Sequence, residues 1–338
     1  HDLRPVSELQ ERYHRFGLDK ALSYTGFLAK SCTADIVFQA PQLPKFKPNP
    51  LENSKVYLND LAQKGLQQRF SGKQISKNYQ DRLNYELKVI NKMGFDDYFL
   101  IVWDVINYIH RAHIQSGPGR GSAAGSLVAY ALGITQVDPI VYGLLFERFL
   151  NPARAQMPDI DLDIPDDRRD DVISYMFNKY GMDHAAQILT FGTLAAKQAL
   201  RDCSRVFGLS VSQANQWTAT IPFSKTKITL AQSYETSAQL RTLVASAPLN
   251  QLLFKTACGI EGLPRHTSIH AAGLVISDKS IAKRVGLQAG PLNLPVTPQT
   301  QTNVESLGLF KIDFLGLRNL TILTDLLKII LQKQPAFD

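Results

Sequence analysis

The stretch Met157-Pro158-Asp159-Ile160-Asp161-Leu162-Asp163-Ile164 decides how this chain is read. Acidic and apolar residues alternate in it, which is the period of a half-buried strand. Side chains on one face of a strand lie about 7 Å apart. Asp159, Asp161 and Asp163 therefore share a face, and Ile160, Leu162 and Ile164 pack on the other. Carboxylates this close repel, and burial raises their pKa values further. A bound cation removes the conflict, and a few carboxylates completed by substrate phosphates suit Mg²⁺. A lone D-x-D also occurs on solvated edge strands, so the rest of the chain has to decide.

Upstream lies Gly117-Pro118-Gly119-Arg120-Gly121-Ser122-Ala123-Ala124-Gly125-Ser126. The glycines let backbone amides converge ahead of a small-residue helix predicted from about Ser122 to Gly133, and such a helix start attracts phosphate. Ser122 adds a hydroxyl and Arg120 a positive charge. The spacing is not G-x-G-x-x-G, and the Lys of a P-loop is missing. A close-packed helix start with no ligand fits the same segment equally well. Downstream, Lys311-Ile312-Asp313-Phe314-Leu315-Gly316-Leu317-Arg318 puts Lys311 and Asp313 on one strand face. Asp313 is then a further metal ligand and Lys311 a point charge for phosphate, or the two form a surface ion pair. In Glu147-Arg148-Phe149-Leu150-Asn151-Pro152, Arg148 either reaches the acidic strand or pairs with an acid such as Glu147. His266 and His270 are four apart, but the glutamate of H-E-x-x-H is absent, so they read as structural or nucleic-acid contacting. No nucleophile elbow is present.

The 338 residues suffice for about two domains. A hydrophobic fraction of 44% is that of a globular protein, and a net charge of +7 hints at a polyanionic partner. Cys32, Cys203 and Cys258 fit neither a zinc site nor a disulfide framework, so the expected setting is a reducing cytosol with the thiols as small core residues. No apolar run has membrane-spanning length and no signal peptide is evident. The termini at His1 and Asp338 suggest a piece of a longer protein. Four prolines between 41 and 50 mark a linker. Helices are predicted in 1–40, over 55–70 and 78–92, in a segment capped by Asp97 with the stripe Leu100, Trp103 and Ile106, and over 168–180 and 193–207. Strands are predicted at 274–276 and 309–313. Residues 209–265 read as a smaller, more mobile insertion of short helices, and Leu317 opens a final amphipathic helix.

Taken in order, Gly119 to Tyr130, Phe146 to Pro152, Met157 to Asp163 and Lys311 to Arg318 resemble the alpha subunits of bacterial DNA polymerase III, the C-family replicative polymerases. Phe191 to Lys197 and His270-Ala271-Ala272-Gly273 share the likeness, which runs over essentially the whole chain. The resemblance implies an α+β fold, a polymerase-beta-like nucleotidyltransferase palm with an inserted helical thumb. It implies the tail of a PHP domain at 1–28, palm at 29–190 and 269–318, thumb at 191–268 and the start of the fingers at 319–338. It makes Asp159, Asp161 and Asp313 the catalytic, metal-binding triad, with Asp163 in support, and two Mg²⁺ ions the cofactor. Gly121, Ser122, Arg148 and Lys311 match positions that hold the incoming triphosphate, with Arg120 a neighbour. Ile164 stands where the family usually has Phe, a packing change remote from the metals.

The implied reaction is template-directed DNA synthesis, the transfer of a deoxynucleotide from a dNTP to the primer 3′-hydroxyl with release of pyrophosphate. Primer-template DNA and dNTP are the implied substrates. Sliding clamp and clamp-loader subunits are implied partners through regions beyond this chain, in a bacterial cytoplasm at the nucleoid. Lys225, Lys227, Arg241 and Lys255 are candidates to line duplex phosphates, a sequence-independent and salt-sensitive role. Two alternatives remain: a DNA-binding fragment without catalysis, because the fingers are missing, and a template-independent nucleotidyltransferase on the same palm.

Overall fold

The computed structural model describes residues 4–35, 38, 42–46, 53–153 and 157–334. Much of the proline-rich stretch read as a linker lies outside the described residues. The chain forms two compact units, His1–Gln39 and Ala40–Asp338. In the first, helices α1 (Val6–Arg15) and α2 (Asp19–Ser31) pack on each other and bury no residue fully.

The second unit opens with α3 (Ser54–Arg69), α4 (Lys77–Met93) and α5 (Asp96–Arg111). Gly94 ends α4 in the left-handed conformation (φ 73°) that glycine adopts without strain. Asp97 is not the cap of α5. Phe95 holds that position, while Asp97 sits buried in the first turn and accepts from Ser54 Oγ at 2.6 Å, Phe46 N at 2.9 Å and Lys45 Nζ at 3.0 Å. The carboxylate thus ties the incoming segment to α5, where a negative charge also favours the helix N-terminus.

Next come a 3₁₀ turn at Gly121–Gly125, the short α6 (Leu127–Ala131), a second 3₁₀ turn at Phe146–Arg148, strand β1 (Asp161–Pro165) and α7 (Arg169–Tyr180). Strand β2 (Ala185–Thr193) precedes five helices: α8 (Ala196–Val206), α9 (Val211–Ala219), α10 (Leu230–Thr236), α11 (Ala238–Ala245) and α12 (Pro248–Ile260). The chain then returns through β3 (Pro264–Ile276), β4 (Gln288–Ala289), β5 (Pro295–Thr297), α13 (Gln301–Ser306) and β6 (Phe310–Leu317) to α14 (Arg318–Lys333). Thr193 closes β2 and does not open α8. The first half of β2 is buried without alternation, which is why periodicity gave no strand there.

One mixed sheet has the order β1-β6-β3-β2-β5-β4. Strand β1 runs parallel to β6, while β3 is antiparallel to both β6 and β2. Ile160, Leu162 and Ile164 join Phe310, Ile312, Phe314, Leu274 and Ile276 in the main core, closed over by α3 to α7. A second core on the opposite face gathers Ala186, Ile188, Val275 and Val304. Helices α8 to α12 enclose a third, built on Leu200, Cys203, Trp217, Leu240 and Leu253. The helical insertion therefore carries its own apolar interior on the β2–β3 ribbon. Among the cysteines only Cys203 is a core residue. Cys32 and Cys258 are exposed, so the expectation of three buried thiols fails for those two. Among the described residues no helix is long and apolar enough to cross a membrane.

Candidate active site

Parallel pairing of β1 with β6 sets Asp161 directly beside Asp313. Asp159 lies just before β1. Ligand oxygens of Asp159, Asp161 and Asp313 all fall within 4.8 Å of one another, the single grouping of potential metal ligands among the described residues. Between the first two acids, the backbone N–H of Ile160 donates to the Tyr98 hydroxyl at 2.7 Å. Tyr98 is buried and packs edge-on against Phe99 and Phe310, with ring centroids 5.8 and 5.4 Å away. Burial pushes its phenol far up, and the three nearby carboxylates push it further, so it stays protonated. Its oxygen fixes the backbone that aims Asp159 and Asp161.

Burial raises the Asp161 carboxyl first, with Asp159 and Asp313 adding to it, while Arg120 and Lys311 pull the other way. Asp313 is buried; its Oδ2 is held by Lys311 Nζ, while Oδ1 is buried without any hydrogen-bond partner. An orphaned carboxylate oxygen beside two further acids is a cation ligand set waiting to be completed. Three carboxylates are hard oxygen donors, which suit a hard cation such as Mg²⁺ better than a soft metal.

Asp163 stands apart from this group. Arg120 donates to its Oδ1 at 3.1 Å, and its register partner on β6 is Leu315. The alternation that seemed to place three acids together continues one step too far for Asp163 to reach Asp313. Gly117 N donates to Asp163 O at 2.9 Å, so the glycine-rich turn runs along the free edge of β1. A side chain at Gly117 would put its Cβ 2.7 Å from that of Asp163, which explains glycine there. Gly121 has φ 60°, and with Ser122 it is exposed.

The predicted helix from Ser122 is in fact broken at Ser126, which caps α6 by accepting from Ala129 N at 3.1 Å. The cause is Glu86 of α4, wholly buried, which accepts from Leu127 N and Val128 N at 3.0 Å and from Ser126 Oγ at 2.9 Å. The amides of that helix start are therefore occupied. The phosphate reading survives only for the preceding 3₁₀ turn. Arg82 pairs with Glu86 at 2.7 Å and donates to Gly125 O at 2.9 Å and Leu144 O at 3.1 Å, bracing the turn against the segment that carries Arg148. Arg148 is exposed and does not pair with Glu147, which accepts from the Tyr85 hydroxyl at 3.0 Å.

His266 and His270 belong to no metal cluster among the described residues. His270 Nδ1 accepts from Ala272 N at 3.2 Å and Gly273 N at 2.8 Å, and Gly273 is the β3 partner of Asp313. On the insertion, Lys225, Lys227 and Lys255 are exposed. Arg241 is committed elsewhere, donating to the carbonyls of Tyr234 at 2.9 Å and Glu235 at 2.7 Å at the end of α10. Sequence reasoning passed over Tyr98, Arg82 and Glu86. The first is hidden in an apolar helical run, and the others read as an ordinary i,i+4 pair.

A mixed α+β unit with one six-stranded sheet and this acidic cluster is compatible with a nucleotidyltransferase-like domain. Residues 56–316 match the family model described as the bacterial DNA polymerase III alpha NTPase domain. The chain belongs to that family. It is 48% identical over 329 residues to the DNA polymerase III subunit alpha of Bacillus subtilis, covering 97% of this chain and 29% of that relative. The corresponding subunit of Halalkalibacterium halodurans is 45% identical over 323 residues, 96% of this chain and 29% of the relative. That of Aquifex aeolicus is 45% identical over 320 residues, 88% of this chain and 28% of the relative. The chain thus spans under a third of the length of the curated relatives it matches.

Proposed function

We propose that this chain is the palm and thumb portion of a bacterial replicative DNA polymerase, which adds deoxynucleotides to a primer 3′-hydroxyl under the direction of a template. The observation that carries the reading is the meeting of Asp159, Asp161 and Asp313, with the buried Asp313 Oδ1 left unpartnered. On this reading the sheet with α3 to α7 is the palm, residues 191–268 are the thumb, 319–338 lead into the fingers and 1–28 close a PHP domain. Divalent cations held by these three carboxylates would supply Lewis-acid activation of the attacking hydroxyl and charge neutralisation for the departing pyrophosphate.

The chain's own residues mostly position and neutralise, as phosphoryl transfer requires. The carboxylates of Asp159, Asp161 and Asp313 hold the ions. The Gly121 backbone and the Ser122 hydroxyl, both exposed on the turn beside β1, receive phosphate oxygens. Arg148 and Lys311 supply positive charge to the triphosphate. Arg120 offsets Asp163 and so keeps the second negative charge on β1 from opposing the incoming nucleotide. Sliding clamp and clamp-loader subunits are proposed partners through parts of the relatives beyond this chain.

The loop 222–227 of the insertion carries Phe223, 93% exposed, with the exposed Lys225 and Lys227 beside it. Each lysine on a DNA phosphate releases about one counterion. Replacing both with Ala is expected to reduce the slope of log affinity against log salt by about 2, with little sequence dependence. A DNA-binding titration between low and moderate salt checks this, and an unchanged slope removes the loop from the duplex contact.

The raised Asp161 carboxyl also sets a pH dependence. Protons compete with the cation for a group that binds metal only when ionised. The Mg²⁺ concentration for half-maximal primer extension is therefore expected to rise as pH falls through the Asp161 titration and to settle once pH is above it. Magnesium titrations at a series of pH values measure it. The function itself is tested by Mg²⁺-dependent extension of a primer by the full-length subunit. DNA binding without extension defeats the catalytic reading, and extension indifferent to template sequence defeats the template-directed one.

A further inference from the structure

Strand β3 departs from its ladder beside the acidic triad. Gln187 pairs with Leu274 and Leu189 with Ile269, so the four residues His270, Ala271, Ala272 and Gly273 stand opposite the single Ile188. A bulge of this size bends the strand, and bulges concentrate next to active sites, where they re-aim side chains. Pairing of β3 with β6 begins at Gly273, opposite Asp313. The bulge therefore ends against a residue of the triad.

The bulge is closed by one side chain. His270 Nδ1 receives the backbone N–H of Ala272 at 3.2 Å and of Gly273 at 2.8 Å. A ring nitrogen that accepts carries no proton, so the tautomer with its hydrogen on Nε2 fits these two bonds. A side chain at Gly273 would force its neighbours to shift. A Cβ there would lie 2.9 Å from Ile188 Cδ1, 3.1 Å from His270 Nδ1 and 3.5 Å from Asp313 Oδ1. The imidazole and the unpartnered carboxylate oxygen thus converge on one small gap. Asp313 is held on its other side by Lys311 Nζ at Oδ2.

We propose that His270 is a positioning residue for Asp313, holding the β3 bulge so that Oδ1 stays aimed at the metal site, an inference that rests on the metal-dependent polymerase reading above. His270 acts through the amides of residues 272 and 273 and need not touch metal, nucleotide or DNA. Without the acceptor, two N–H groups lose their partner and the bulge rearranges into the space beside the carboxylate. Loss of such an outer-shell contact typically weakens metal binding or activity about 10- to 100-fold.

The test uses the full-length alpha subunit. Asn places an acceptor oxygen on Cγ, where His carries Nδ1, whereas Gln carries its acceptor one carbon further out. His270→Ala and His270→Gln are expected to raise the Mg²⁺ requirement of primer extension about tenfold. They should weaken, to a similar extent, the Mn²⁺ sites that Asp313→Ala removes, read by electron paramagnetic resonance without turnover. His270→Asn should recover most of both losses. Hydrogen exchange at the amides of 272 and 273 should speed up in the Ala and Gln variants and be slowed again by Asn. Should His270→Ala fail to fold, the contrast between Asn and Gln carries the test alone. Ala and Gln variants with wild-type metal affinity overturn the proposal, as does an Asn variant as defective as Gln. A wild-type subunit with no Asp313-dependent Mn²⁺ site instead overturns the polymerase reading beneath it.

Discussion

Asp161→Asn in the full-length subunit is expected to lower the rate of primer extension on the order of 10³-fold, the scale of losing one preorganised charge-stabilising element. Its effect on folding should have the opposite sign or none. The Asp161 carboxyl is raised by burial, by Asp159 and by Asp313, so its ionised form is disfavoured in the folded chain without metal. The penalty is present at pH above the folded pKa and is relieved as pH falls through it. Asparagine relieves it at every pH. A thermal midpoint in chelator that is unchanged or higher, together with this loss of extension rate, is the expected pair of results. Such a trade of stability for function is common where like charges are held together for a ligand. A variant that extends primers at near wild-type rate would remove Asp161 from the metal site, and one that loses extension because it no longer folds would make Asp161 a packing residue instead.

Glu86→Ala is expected to cost about 3–5 kcal/mol of stability, the range for removing one partner of a buried ion pair. Glu86 is wholly buried, and Arg82 Nε reaches its Oε1 at 2.7 Å. Burial pushes the Glu86 carboxyl up, opposed by the amides of Leu127 and Val128 and by Arg82. Removing it strands those two amides and takes the acceptor from Arg82 Nε–H. The loss should appear as an earlier urea transition of the α4–α6 region, followed by hydrogen exchange at 127 and 128. Because Arg82 also holds the carbonyls of Gly125 and Leu144, nucleotide affinity should weaken in parallel. Unchanged exchange at 127 and 128 would show that Glu86 is not the cap of α6.

The acidic strand was readable because its two signals coincide: alternation sets the face, and the carboxylates set the chemistry. Lys311 and Asp313 were readable for the same reason, and the four ordered motifs indicated the family. What stayed hidden depends on contacts distant in sequence. Nothing local in Glu86 says that it will cap a helix some forty residues later, so the turn at 121–125 looked like the start of a free helix. The first half of strand β2 is buried on both faces and lacks alternation. Asp163 fits the alternation perfectly well, yet its neighbour on β6 is Leu315, and only the register shows that Arg120 takes it instead. His270 drew notice as half of a histidine pair, whereas its work is to close a bulge that no sequence pattern announces.

The most direct test is a crystal structure of the full-length subunit with primer-template DNA, a non-incorporable dNTP and Mn²⁺, read by anomalous scattering. The account expects manganese bound among the carboxylates of Asp159, Asp161 and Asp313, with the triphosphate running toward Ser122, Arg148 and Lys311. Manganese bound elsewhere while these three carboxylates stay unliganded, or Asp313 turned away from the other two in that complex, would contradict it.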